Sequence, residues 1–363
     1  MTATALWIGT YPRPDGAPGG GEGVWRVELA DGRFAAHDLV VTSTAPSFLA
    51  LHPSGRTLYA VAETAPGALA AFDVEGDVLT PAGGVPSGGD EPCHVVATDD
   101  EVWVANYGDG VAAAVPVDPA SGAFAAEQPA THPHAGSGPH PDRQQGPHAH
   151  FVAVDGDRVL VCDLGTDQLR TYPRGAATAA TPQGTEDAGV AATLPPGTGP
   201  RHLVRLPGDV LAVVGELDAQ VHLLVPDGDG WAHTGSVPAT AVPIPEGSVA
   251  QPSHVALSPD GTVLTVGVRG PDVLAVHRVL DDGGTARLHH LADVELGTDA
   301  WPRHHAVLTS PDGEGDGALT VVVAAQGTGE LLALRVDPVS GTGEVTDRLS
   351  LPTPPACVLE ARP

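Results

Sequence analysis

The sequence predicts an all-β chain folded as a seven-bladed β-propeller, its last blade closed by both termini. Three observations carry that reading: a motif that recurs seven times, a seventh copy split between the two chain ends, and a composition dominated by turn formers. The motif runs Pro, a short apolar strand, a Gly-containing turn, a second apolar strand, a polar residue, then a third strand. Its starting prolines are Pro46, Pro92, Pro147, Pro200, Pro252, Pro302 and Pro355, a period of about fifty residues, which is in the range of radially repeated sheets. Proline suits a strand start because it has no N–H to leave unpaired.

The copies from Pro46 (PSFLALHPSGRTLYAVAETAPGALAAFDV) and Pro252 (PSHVALSPDGTVLTVGVRGPDVLAVHRV) are the clearest, with HPSG and SPDG as hairpin turns. Six complete copies run to about Leu351, and the seventh keeps only PPACVLEAR at the C-terminus. Its missing strands are ALWIGTY, GVWRVEL and RFAAHDLVV at the N-terminus. An open solenoid would need distinct caps instead of a split repeat. Chains of 363 residues can form one all-β domain, so residues 1–363 are read as a single propeller domain. Glycine (46) and proline (36) supply the turns, and only 17% of residues are charged.

Charge excludes several function classes. There are 45 acidic and 17 basic residues, all of the latter Arg, for a formal charge of −28. Nucleic acid and anionic membranes are repelled by such a chain. Cys93, Cys162 and Cys357 are too few for a disulfide framework and lie in apolar runs as small hydrophobes. With no long apolar run and no basic segment ahead of one, the expectation is a cytoplasmic, soluble monomer or weak homo-oligomer.

The first two strands of each unit form a hairpin, so the start of the first and the end of the second share one face of the disc. The starts carry Phe48, His94, His150, His202, His254, His304 and Cys357; the ends carry Thr10, Glu63, Asn106, Asp163, Glu216, Arg269 and Gln326. One such polar residue is an ordinary turn cap. Two rings of them around a central funnel are a candidate site, because clustered His, Arg and carboxylates tune one another's protonation. The longest insertion, Thr131–His150, feeds this mouth and is expected to contribute Arg143, Gln144 and His148. Its histidines are irregularly spaced and broken by Pro and Gly, which disfavours a metal site; no metal and no other cofactor is expected.

The segments WIGTY at 7–11, RQQGPHAH at 143–150, DLGTD at 163–167, GPRH at 199–202 and GEL at 215–217 resemble the seven-bladed lactonase family. That family includes the cycloisomerase-type 6-phosphogluconolactonases and the fungal carboxymuconate cyclases. The resemblance spans the chain in order and implies a catalytic set of His150, Arg201, Glu216 and Arg269. Around them, Arg143, Gln144, His148, Asp163, His202, His254, Asn106 and Gln326 are expected to bind substrate. Two departures are VRG at 268–270, lacking the Asn often found before that Arg, and AAQG at 324–327 in place of ANQ.

Lactone hydrolysis needs an activated water, a donor for the oxyanion and a proton for the leaving ring oxygen. His150 or Glu216 is a candidate base, and Arg201 and Arg269 candidate oxyanion or phosphate ligands. There is no GxSxG elbow, and without Lys no Schiff base can form. The implied reaction is opening of 6-phospho-D-glucono-1,5-lactone, a small anionic sugar lactone, in the pentose phosphate pathway. Three rivals stand beside it: a muconate-type cyclase or isomerase, a non-catalytic binding propeller, and a metal-dependent lactonase using Glu63, Asn106, Asp163 and Glu216. Sparse aromatic residues disfavour the second, and Arg269 in the same ring disfavours a cation.

Overall fold

The structure, a computed structural model, describes residues 3–12, 22–175, 189–281, 286–308 and 317–361. Seven four-stranded antiparallel sheets make up the chain, each built from strands consecutive in sequence except one. That exception is the sheet in which Pro355–Glu360 pairs with Thr4–Thr10, setting Trp7 opposite Leu359 and Ile8 opposite Val358. The split repeat thus closes the ring, as the sequence predicts. No helix occurs among the described residues, so none is long and apolar enough to cross a membrane.

Numbered by their starting prolines, blades 1 to 7 have inner strands Leu49–Leu51, Pro92–Ala97, Ala149–Asp155, Pro200–Leu206, Gln251–Leu257, Pro302–Val307 and Pro355–Glu360. Second strands such as Glu101–Asn106 and Val210–Gly215 are buried at every position. Their unbroken apolar runs follow from having a neighbouring blade on both faces, as in any doubly covered sheet. One resulting core joins Val210, Ala212 and Val214 of blade 4 to Leu264, Val266 and Val268 of blade 5.

The motif accounts for three strands in each complete blade, and the structure adds a fourth, outermost one; in the split blade that strand is the RFAAHDLVV segment read from the sequence. Those outer strands are largely exposed or short, as in Arg33–Thr42 and Ala130–Pro133. They have little apolar surface to bury and so carry little pattern.

Six of the seven inner strands share a second feature. Register shifts between Pro92 and His94, Ala149 and Phe151, Pro200 and His202, Pro252 and Val255, Pro302 and His304, and opposite Gly9 and Thr10, mark a bulge at the strand start. A bulge leaves one residue out of the ladder and re-aims its side chain. The residues so released include Cys93, His150, Arg201 and Arg303.

Candidate active site

The bulges correct one sequence-based placement. His150 does not share a level with His94, His202, His254 and His304; it stands with Arg201 at the bulge, and Phe151 takes the level below. Two extra residues before the bulge cause this shift: His148 and Ala149 separate Pro147 from His150, whereas Arg201 follows Pro200 directly.

At the lower level six rings close a circle around the axis. Phe48 meets His94 at 4.2 Å between centroids, His94 meets Phe151 at 4.0 Å, and Phe151 meets His202 at 4.6 Å. His202 then meets His254 at 5.1 Å, His254 stacks on His304 at 3.8 Å, and His304 returns to Phe48 at 5.2 Å. His94 and His202 also touch across the circle at 5.6 Å. This is a floor. Burial, and then the charge of Arg201, depress the His94 imidazole to about 3 and that of His202 well below its usual range. His254 and His304 are depressed by burial and by their histidine neighbours. His202 Nδ1 lies 2.9 Å from His254 Nδ1, so neutral rings pair there, one nitrogen donating and the other accepting. Beneath the floor a cavity of about 370 Å³ is lined mainly by apolar residues, among them Val96, Val152 and Leu203. It lies toward the other end of the inner strands, where Asp155 and Arg205 join its lining.

Above the floor sits Glu216, 3% exposed, immediately after the second strand of blade 4. Its Oε1 accepts a hydrogen bond from Arg143 at 2.5 Å, and its Oε2 accepts one from Arg269 at 2.7 Å. Arg201 Nε also lies 2.7 Å from Oε2, an ion pair whose N–H is not aligned for a hydrogen bond. Burial alone would raise the Glu216 carboxyl, but Arg269 and Arg201 overcome it and hold the group well below the usual carboxylate range. Burial and Arg269 draw Arg201 down to about 9, which leaves it charged at neutral pH.

The remaining neighbours are fixed. Arg201 donates to the Ser253 carbonyl, Arg269 Nε donates to the Gln251 carbonyl at 3.1 Å, and the Arg269 guanidinium lies over Trp301. His150 is buried, with its Nδ1 3.7 Å from Cys93 Sγ and an edge contact to Tyr107. Burial first, and Arg201 second, hold its imidazole well below its usual range, so His150 is neutral.

The insertion does reach the mouth, through Arg143. The other polar residues expected there are used to hold the loop. Gln144 donates to the Leu164 carbonyl and Asp167, and its Oε1 accepts from the His140 amide. Asp163 pairs with His134 at 2.8 Å and accepts from the His148 and Gly165 amides. His148 stacks on Tyr107 and its Nδ1 lies 2.7 Å from the Tyr107 carbonyl oxygen. Asp167 accepts from the Gly197 and Gly199 amides, and the Gly199 carbonyl accepts from the Glu216 amide. Motif segments far apart in sequence therefore meet in one unit around Glu216. Two glycines permit it: a Cβ on Gly165 would stand 1.9 Å from the Gly146 carbonyl oxygen, and one on Gly199 2.5 Å from Leu217 Cγ.

Asn106 and Gln326 are not tied to this group. Asn106 donates to the Ser87 and Val111 carbonyls, and Gln326 Oε1 is buried without a partner. Conversely, sequence reasoning missed Arg303. It lies 3.4 Å from Glu63, donates to Tyr11 Oη at 3.0 Å and stacks over that ring at 4.5 Å. A signal was present, since PRH at 302–304 repeats the PRH at 200–202 that carries Arg201.

Residues 5–359 match the family described as Lactonase, 7-bladed beta-propeller. The chain belongs to this lactonase family. A Staphylococcus saprophyticus family relative, itself uncharacterised, is 28% identical over 361 residues, covering 91% of this chain and 94% of that protein. The 6-phosphogluconolactonase of Yersinia pestis is 27% identical over 206 residues, covering 54% of this chain and 59% of that enzyme. Among solved structures, the periplasmic gluconolactonase of Pseudomonas aeruginosa superposes with a TM-score of 0.84 at 24% identity, covering 99% of each chain. At that identity the likeness speaks for the fold alone.

Proposed function

We propose that this lactonase-family propeller hydrolyses 6-phospho-D-glucono-1,5-lactone to 6-phosphogluconate. The observation that carries the reading is the gathering of Arg143, Arg201, Arg269 and Arg303 at one mouth of a chain with formal charge −28. A protein this acidic repels anions in general, so four guanidinium groups in one place create a local well for an anionic substrate. Arg201, the most buried of them, is the group we assign to polarise the lactone carbonyl and stabilise the oxyanion of the tetrahedral intermediate. Arg143, about one-third exposed, and Arg303, 18% exposed, face outward and are suited to the phosphate. The neutral ring floor makes the mouth blind, so a bound lactone rests against imidazole and phenyl edges instead of passing through.

The test is hydrolysis of freshly generated 6-phosphogluconolactone, coupled to 6-phosphogluconate dehydrogenase and corrected for the spontaneous rate. It is run with EDTA present throughout. Acceleration above the spontaneous rate that survives the chelator is the expected result. No acceleration would overturn the reading, and acceleration lost to EDTA and restored by Ca²⁺ or Zn²⁺ would replace it with metal-assisted hydrolysis.

A further inference from the structure

Two carboxylates stand at the mouth, and their surroundings differ. Glu216 has both oxygens engaged by three arginines and is almost fully buried. Glu63, after the second strand of blade 1, has among the described residues one ion-pair partner, and a distant one: Arg303 lies 3.4 Å from Oε2 and 3.5 Å from Oε1. Ser47 donates to Oε2, so that among the described residues Oε1 has only the long Arg303 contact. Its side chain is 14% exposed, against 3% for Glu216. Both belong to one electrostatic unit, because the thiol of Cys93 feels Glu63, Arg303, Arg201 and Glu216 together.

A general base must accept a proton near working pH and reach the water that gives it. Glu216 fails on both counts, since its oxygens are occupied and its carboxyl is held far down. His150 is depressed as well. Glu63 is the remaining candidate. Burial raises its carboxyl to about 7, with Glu91 adding to the shift and Arg303 and Arg201 opposing it. Two carboxylates driven apart by their environments are the usual signature of divided roles, one titrating and one fixed.

We propose that Glu63 is the proton carrier of the reaction, with Glu216 kept anionic to position Arg201, Arg269 and Arg143. The proposal rests on the mouth being a lactone hydrolase. The Glu63 carboxylate takes a proton from water as the water oxygen bonds to the lactone carbonyl carbon. It returns that proton to the ring oxygen as the bond between carbonyl carbon and ring oxygen breaks. The new carboxylic acid then loses its own proton to solvent, so the enzyme ends as it began.

The experiment compares the pH dependence of kcat/KM for wild type, Glu63→Gln and Glu63→Asp. The Glu63 carboxyl is followed in parallel by NMR of protein labelled with carbon-13 at glutamate, assigned by its loss in Glu63→Gln. Wild-type kcat/KM is expected to rise with pH through an apparent pKa near 7. Glu63→Gln is expected to lose that limb and about two orders of magnitude in kcat, with little change in KM. Glu63→Asp should keep the limb at reduced rate, which a merely structural carboxylate would not produce. A folded Glu63→Gln with wild-type rate and limb overturns the assignment. So does a Glu63 carboxyl that titrates in the ordinary acid range, a result that stands even if Glu63→Gln fails to fold, because Glu63→Asp also removes the labelled signal and assigns it. If wild type opens no lactone, the functional reading fails on its own. Titration near neutrality would then keep Glu63 as a proton-carrying group for a different substrate.

Discussion

Glu216 is held by more charge than a base can use. Sequence reasoning names it as a candidate base and sets Arg201 beside it in the implied catalytic set. In the structure Arg201 forms an ion pair with it, and two further arginines share that carboxylate. No hydrogen bond joins Glu216 to His150 among the described residues, so orientation of that imidazole falls to Cys93 and its surroundings. Removing one partner from a buried ion cluster leaves uncompensated charge, at a cost of roughly 3–5 kcal/mol. Glu216→Gln is therefore expected to unfold at markedly lower denaturant, by chemical denaturation near pH 7, and to lose most activity. A variant with unchanged stability would mean that the arginines find other anions and that Glu216 does not hold them. Arg303 shows the limit of reading such sites by position: the repeated PRH was visible, yet strand-start residues were aligned on histidine, so the residue before it went unweighed.

Among elements, the bulges and the insertion decide what reaches the mouth. A bulge is one residue of slack with no composition of its own, so it could not be placed from sequence, and His150 was set one level too low. The insertion was legible as a rim loop because its length and Pro/Gly content exceed those of the other connections. Which of its residues face the site was not legible. Gln144, His148 and Asp163 look like ligands by type, yet the loop needs their hydrogen bonds to hold Arg143 over Glu216. Gly165 is the tightest point of that packing. Gly165→Ala is expected to push the loop outward, separate Arg143 from Glu216 and lower kcat/KM by about tenfold to a hundredfold, the scale of a misplacement of about 1 Å. Gly146→Ala is the matched control, because its Cβ meets nothing within 4 Å. Steady-state kinetics on both variants check this; equal effects, or none at Gly165, would mean that loop position does not set activity.

Across the whole molecule, seven prolines and one split repeat were enough to read the blade number and the closure. Each inner strand must begin at the same face, and the chain must spend its two ends in one blade to leave few open edges. In the six complete blades the fourth strands escaped notice because exposure on the outer rim removes the apolar alternation that marks a half-buried strand. The same architecture explains the distribution of charge. Acidic residues cover the solvent-facing surface, while the inner-strand starts and second-strand ends deliver three arginines, and the insertion a fourth, to a single blind mouth. That contrast is the core of the functional account, and specificity for phosphate tests it most directly. The measurement is the ratio of kcat/KM for 6-phosphogluconolactone to that for unphosphorylated glucono-1,5-lactone, each corrected for spontaneous opening. Charge-assisted hydrogen bonds at about 1.5–3 kcal/mol each lead to an expected ratio of about a hundred or more, shrinking as salt is added. A ratio near one, insensitive to salt, would contradict the claim that the arginine mouth exists to hold an anionic lactone.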